Sequence, residues 1–159
     1  MADISRRQFL RGDFSGRMTV PRPPWALAEV AFSAACTRCS ECIDACPQHI
    51  LVADKDLRPR VDFSRGECTF CGKCAEACRP RALEKAEGQP PWLLKARIQD
   101  NCLARANVVC RACGDACPVQ AIRFSPQVMS AAQPEVRDDL CTGCGACYSP
   151  CPARAIRII

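Results

Sequence analysis

The chain has one histidine, and only six Phe, two Trp and one Tyr among its 159 residues. So few aromatics leave little bulk for an apolar core, and something beyond side-chain packing must supply much of the stability. No apolar run approaches the roughly 20 residues needed to span a bilayer, so no transmembrane segment is expected. No basic run is interleaved with aromatics, and a nucleic-acid partner is rejected on that ground.

A complete export signal is also missing. Ser5-Arg6-Arg7-Gln8-Phe9-Leu10-Arg11 resembles the core of a twin-arginine signal. The next residues are Gly12-Asp13-Phe14-Ser15-Gly16-Arg17 and then Pro21-Arg22-Pro23-Pro24, where an apolar stretch and a small-residue cleavage site would be needed. The expectation is a cytoplasmic protein that keeps residues 1–20 as a flexible basic arm. Such an arm is most often a solvated tail, and it can also order on a partner.

What the chain has in excess is cysteine, sixteen in all. At that density the readings are a disulfide framework in a secreted protein or metal sites in a reducing compartment. Without an export signal the second is favoured. The formal charge of +5 counts every cysteine as neutral. Four oxidised [4Fe-4S] clusters with their thiolates would add about −8 and bring the loaded protein to roughly −3. The apparent basicity is thus compensation for cluster charge.

The cysteines form four groups: Cys36, Cys39, Cys42 and Cys46; Cys68, Cys71, Cys74 and Cys78; Cys102, Cys110, Cys113 and Cys117; Cys141, Cys144, Cys147 and Cys151. Groups one, two and four read C-x2-C-x2-C-x3-C, and group three widens its first gap to seven residues, 103–109. A larger repeat contains them, because Pro23-Pro24-Trp25 recurs as Pro90-Pro91-Trp92 ahead of the first and third groups. Each fourth cysteine leads into a phrase such as Pro118-Val119-Gln120-Ala121-Ile122 or Pro152-Ala153-Arg154-Ala155-Ile156. The expected layout is an arm at 1–20, one unit at 21–84, a polar Gly/Pro linker at 85–91 and a second unit at 92–159. The fold class is a small α+β protein, a tandem of two bacterial-ferredoxin-like units with short helices and two-stranded ribbons. Residues 51–52, 122–124 and 156–159 read as strands, with returns near 59–63 and 134–136. A helical turn is expected after each fourth cysteine, and short helices at Trp25 and Trp92.

Three cysteines at i, i+3 and i+6 in a curled loop can wrap one face of a compact cubane, with loop amides pointing at its sulfurs. Small residues ease the curl, here Gly72, Gly143, Gly145, Ala112 and Ala146. The last gap carries the fourth cysteine one helical turn further, away from that cluster. In bacterial ferredoxins with this run, the fourth cysteine ligates the other cluster. Applied here, cluster one takes Cys36, Cys39, Cys42 and Cys78, and cluster two takes Cys68, Cys71, Cys74 and Cys46. Cluster three takes Cys102, Cys110, Cys113 and Cys151, with Cys102 the least regular ligand. Cluster four takes Cys141, Cys144, Cys147 and Cys117. Loading and folding are then one event.

Zinc would want two cysteine pairs with a longer gap, usually with histidine, and His49 is alone. Radical chemistry on S-adenosylmethionine uses C-x3-C-x2-C, which never occurs because His49, Arg81, Gln120 and Arg154 hold the last position. With every cysteine a ligand, no thiol is left for catalysis, and no enzyme activity is expected. An electron-transfer module and an accessory protein for another enzyme need the same sites, so spacing leaves both open.

The Ser5-Arg6-Arg7 start, the Arg22-Pro23-Pro24-Trp25 phrase and the widened Cys102-Leu103-Ala104-Arg105…Cys110-Arg111 group resemble the NapF family of ferredoxin-type proteins of periplasmic nitrate reductase systems. So does the order of the four groups, and the resemblance runs along almost the whole chain. It implies a cytoplasmic accessory protein acting on the catalytic subunit, NapA, before its export, by supplying or reducing that subunit's own cluster. Nothing in the chain resembles a molybdopterin site.

Overall fold

Residues 20–159 are described by a computed structural model. Arg6, Arg7, Arg11 and Arg17 of the expected arm lie outside them. Helix α1 (Glu29–Ala35) follows the first Pro-Pro-Trp phrase and ends at Cys36, whose N–H donates to Phe32 O. Three single-turn helices each carry the third cysteine of a group: α2 (Glu41–Asp44), α3 (Lys73–Glu76) and α4 (Ala112–Asp115). Helices this short are not stable by themselves, so their surroundings must hold them in place. None among the described residues is long and apolar enough to cross a membrane.

Among the described residues the strands form three antiparallel ribbons. β1 (Leu51–Ala53) pairs with β2 (Pro59–Val61), placing Leu51 opposite Val61, both buried. β4 (Ile122–Gln127) pairs with β5 (Ser130–Val136), with the register slipping between Ser125 and Gln127. Pro126 stands at that slip, and Pro59 and Pro134 also lie in strands, as two-stranded ribbons allow because every strand is an edge. The 156–159 run becomes β6 (Ile156–Ile158), and its partner is β3 (Ala96–Ile98). This ribbon ties the start of the second half to the chain end. The bridge between Ala26 and Leu83 closes the first half in the same way.

Two local expectations are corrected. The segment after each fourth cysteine is a tight turn and not a helical one. His49, Arg81, Gln120 and Arg154 return their N–H to the carbonyl of Cys46, Cys78, Cys117 and Cys151 at 3.0–3.1 Å. All four have left-handed φ, between 49° and 56°, which stops helix growth and swings the chain outward. The lone histidine therefore fills a turn position that Arg and Gln fill elsewhere. The second correction concerns the tryptophans. Neither is helical, and Trp25 is buried at a turn, with its N–H on Pro91 O.

Phe32, Ile50, Val61, Phe63 and Leu83 belong to the same apolar cluster as Ala96, Ala121, Ile122, Ile156 and Ile158. The two halves thus share one core. Its aliphatic part is small, and cysteines fill much of it.

Arg22 fastens the entering chain. Its guanidinium donates to Glu29 at 2.7 and 3.0 Å, to Asp54 Oδ2 at 2.8 Å and to Pro59 O at 3.2 Å. It also lies 4.9 Å above the Phe32 ring, which is fully buried. The Asp54 side chain is only 8 % exposed. Burial alone would raise its pKa, but hydrogen bonds from Arg22 and from the backbone N–H of Arg58 and Asp56 win and leave it below the ordinary aspartate value. That contribution to stability is full above the ordinary aspartate range and is lost as falling pH protonates the folded carboxylate. Arg22→Ala leaves Asp54 buried without its cation and should cost about 3 kcal/mol. Anaerobic thermal unfolding of the loaded protein should show a melting point several degrees lower. An unchanged melting point would show that the ion pair contributes nothing.

Candidate metal centres

The cysteine loops curl by repeated excursions into left-handed backbone. Two residues after the first cysteine of groups one, two and four come Arg38, Phe70 and Gly143, with φ of 62°, 54° and 71°. One residue after the second cysteine come Ser40, Gly72 and Gly145, with φ of 65°, 86° and 87°. Glycine is mandatory where space also runs out. A Cβ on Gly143 would strike the Leu94 carbonyl, lying 2.8 Å from its carbon, and one on Gly145 would come within 2.6 Å of Phe63 Cε1. The widened loop of group three takes its left-handed turn at Asn107 instead. Asn107 Oδ1 accepts the Ala131 N–H at 2.6 Å, and Gln133 Nε2 donates to Ala104 O at 2.8 Å. These bonds pin the insertion to β5, so it stays closed around Cys102.

The folded loops leave four cavities, and each is lined by four cysteines. One is bounded by Cys36, Cys39, Cys42 and Cys78. The next is bounded by Cys68, Cys71, Cys74 and Cys46. In the second half the sets are Cys102, Cys110, Cys113 and Cys151, and Cys141, Cys144, Cys147 and Cys117. Each cavity takes three cysteines from one group and the fourth from its neighbour. We number them one to four by the group that supplies three.

All sixteen cysteines are free thiols, the third of each group being buried. Burial pushes the Cys42 thiol up to about 12, with further repulsion from Cys78, Cys74, Cys36 and Cys39. It does the same for Cys74 and Cys147, each pushed up to about 12, and for Cys68 and Cys113, each pushed up to about 11. The neighbouring group contributes to the repulsion in three of the sets: Cys78 acts on Cys42, Cys46 on Cys68 and Cys74, and Cys151 on Cys113. Thiols so raised stay protonated until a cationic iron core offsets their charge.

Backbone N–H groups face several of these sulfurs. Leu83, Ala121 and Ala155 donate to Sγ of the fourth cysteines Cys78, Cys117 and Cys151 at 3.2–3.4 Å. Phe70 and Ala96 donate to Cys68 and Cys141 Sγ, both at 3.4 Å. Such donors favour the thiolate and tune the potential of whatever it binds. Lys95 Nζ donates to Cys141 O at 2.6 Å and Asp138 O at 2.9 Å, bringing a fixed positive charge to cavity four. Among the described residues, no three Cys, His, Asp or Glu side chains close on a single ion-sized point. Four cysteines around each of four cavities are a donor set that fits four [4Fe-4S] clusters. When bound, such clusters supply one-electron chemistry.

Residues that cysteine spacing does not reveal also shape the sites. Trp92 Nε1 donates to Thr142 O at 2.8 Å, holding the loop of cavity four. Its recurrence in the Pro-Pro-Trp phrase is the signal that could have found it. Phe63 covers Gly145 and carries no such signal.

A family model described as a 4Fe-4S dicluster domain matches residues 35–82 and again 108–155. "Ferredoxin-type protein NapF" of Haemophilus influenzae is 44% identical, covering 97% of this chain and 93% of that protein. The protein of the same name in Escherichia coli K12 is 42% identical with the same coverage. "Ferredoxin-type protein NapG" of Haemophilus influenzae is 32% identical over 82% of this chain and 54% of that protein.

Proposed function

The chain belongs to the NapF family of ferredoxin-type iron–sulfur proteins, and from that premise we propose that it is a four-cluster accessory protein of a periplasmic nitrate reductase. In this reading it acts in the cytoplasm on the catalytic subunit, before export, by loading or reducing that subunit's cluster. The observation that carries the metal half of the reading is the crosswise set of four cysteines around every cavity. We assign Cys36, Cys39, Cys42 and Cys78 to the first cluster, and Cys68, Cys71, Cys74 and Cys46 to the second. The third takes Cys102, Cys110, Cys113 and Cys151, and the fourth Cys141, Cys144, Cys147 and Cys117. Cys102 has a buried place in its set despite the widened loop. No catalytic group is assigned.

Prepared without oxygen, the protein should hold about sixteen irons and as many sulfides per chain. Iron and sulfide analysis checks this, and a well-folded preparation carrying zinc instead would defeat the assignment. A deficit confined to one cluster in a Cys102→Ala chain would place that residue among the ligands.

The partner is tested by capture from a reducing cell extract, with the metal content of the bound protein measured. Immature nitrate reductase catalytic subunit should be retained, and its iron should rise or its cluster become reduced. The Arg6-Arg7-Arg11-Arg17 arm adds affinity in this reading, so a chain starting near Pro21 should bind more weakly and with less salt dependence. Equal binding at two salt concentrations would remove the arm from the mechanism. The second reading is a polyferredoxin that passes single electrons between partners. It is favoured by the contact between the loops of cavities two and four, where the Cys68 N–H donates to Cys144 O at 2.8 Å, and capture of no reductase subunit by either chain would favour it further.

A further inference from the structure

The two halves meet where two cluster loops lie back to back. The Cys68 N–H donates to Cys144 O at 2.8 Å across the boundary. Phe63, from the first half, covers Gly145 so closely that no Cβ would fit there. Its ring meets Trp92 edge-on at 5.9 Å and Tyr148 at 6.4 Å, and Phe70 meets Trp92 edge-on at 5.4 Å. Trp92 is bonded in turn to Thr142 O.

Several of these residues also line the central cavities: Cys68 and Phe70 bound cavity two, and Thr142, Cys144 and Gly145 bound cavity four. None of the junction residues lines cavity one or cavity three. Within each half the exchanged fourth cysteines already link one site to its neighbour. The spatial order is therefore one, two, four, three, which differs from the order along the chain.

We propose that this junction is a relay contact, in which Phe63, Cys68, Trp92, Cys144 and Gly145 hold sites two and four side by side. The protein is then a single four-site series with its ends at sites one and three, and not two independent pairs. Phe63 is buried within the gap, and the half-buried Phe70, Trp92 and Tyr148 pack around it. The reductant is a one-electron donor protein docked at one end, and the oxidant a one-electron acceptor protein at the other. Passage breaks no bond and moves no proton. Phe63 and Trp92 are positioning residues, because they act through the loops and ligate nothing.

The inference rests on the four-cluster assignment, and the test separates the two. In the full chain, Cys39→Ala with Cys110→Ala disables the terminal sites through an exposed and a half-buried cysteine. After anaerobic loading, about eight irons should remain. Electron paramagnetic resonance of the reduced protein should show lines broadened by interaction between two centres. Adding Phe63→Ala should keep the iron and collapse the spectrum to two separate signals. About eight irons with no interaction before Phe63 is changed would overturn the relay contact. Iron far from eight would count against the ligand assignment, and the junction is then read from the chain with all cysteines intact. There Phe63→Leu at unchanged iron should turn one four-centre spectrum into that of two pairs, and an unaltered spectrum would overturn the inference.

Discussion

Replacing Cys46 with alanine should remove the cluster whose other ligands are Cys68, Cys71 and Cys74, and should spare the one bounded by Cys36, Cys39 and Cys42. The residue is close in sequence to the spared cluster and distant from the lost one. Its thiol is buried and lines the cavity of the second group. Cys78 makes the opposite crossing into the cavity of the first group. Iron should fall from about sixteen to about twelve per chain. The identity of the missing cluster is read by comparison: the reduced spectrum of Cys46→Ala should match that of Cys71→Ala and differ from that of Cys39→Ala. A match to Cys39→Ala would mean that each group holds its own cluster. Because each half is tied together by two such exchanges, the loss should also loosen the fold, and limited proteolysis should cut the variant faster.

Gly143→Ala should be nearly as damaging, although it adds a single methyl group. Gly143 has φ of +71°, where a side chain costs about 1–2 kcal/mol. The new Cβ would also press on the Leu94 carbonyl, which is backbone and is locked by the Lys95 and Ile159 hydrogen bonds next to it. Relief requires moving either β3 and its surroundings or the loop that carries Cys141 and Cys144. Together these should cost more than about 3 kcal/mol and lower the occupancy of the fourth site. Gly88→Ala is the control. Gly88 has a similar φ of +74° but nothing within 4 Å of its added Cβ, so only the same backbone cost of about 1–2 kcal/mol applies. Equal melting points and iron contents for the two variants would show that the Leu94 contact is unimportant.

The four cysteine groups were legible because cubane chemistry imposes a spacing that no core or surface would produce by accident. Three repeats of C-x2-C-x2-C-x3-C, plus one widened copy, announce loops that wrap clusters. The ribbons were readable for a similar reason, since short apolar runs such as 51–52 and 122–124 end at turn residues. Less legible was the chain after each fourth cysteine, where Pro-x-x-Ala-aliphatic suggests a helical turn. The left-handed residue at His49, Arg81, Gln120 and Arg154 prevents one. Nothing in those side chains announces it, because the conformation is imposed by the turn back onto Cys46, Cys78, Cys117 and Cys151. Arg22 was visible next to the repeated Pro-Pro-Trp phrase, but its role was not. Its partner Asp54 is 32 residues away and close only once β1 and β2 have paired.

By itself the sequence determined the number of sites, the residue types around them and the two-fold repetition of the cysteine pairs. Those follow from local spacing, which ligand geometry constrains within one loop. The order of the sites in space was decided by the tertiary structure alone. Chain order runs one, two, three, four, while Cys68 on Cys144 and Phe63 on Gly145 place the second site against the fourth. The reason is that the packing of one half on the other depends on surface shape: a glycine without a Cβ in one loop admits a phenyl ring from the other half. Contacts of that kind carry no periodicity, so they appear only when the two surfaces are brought together.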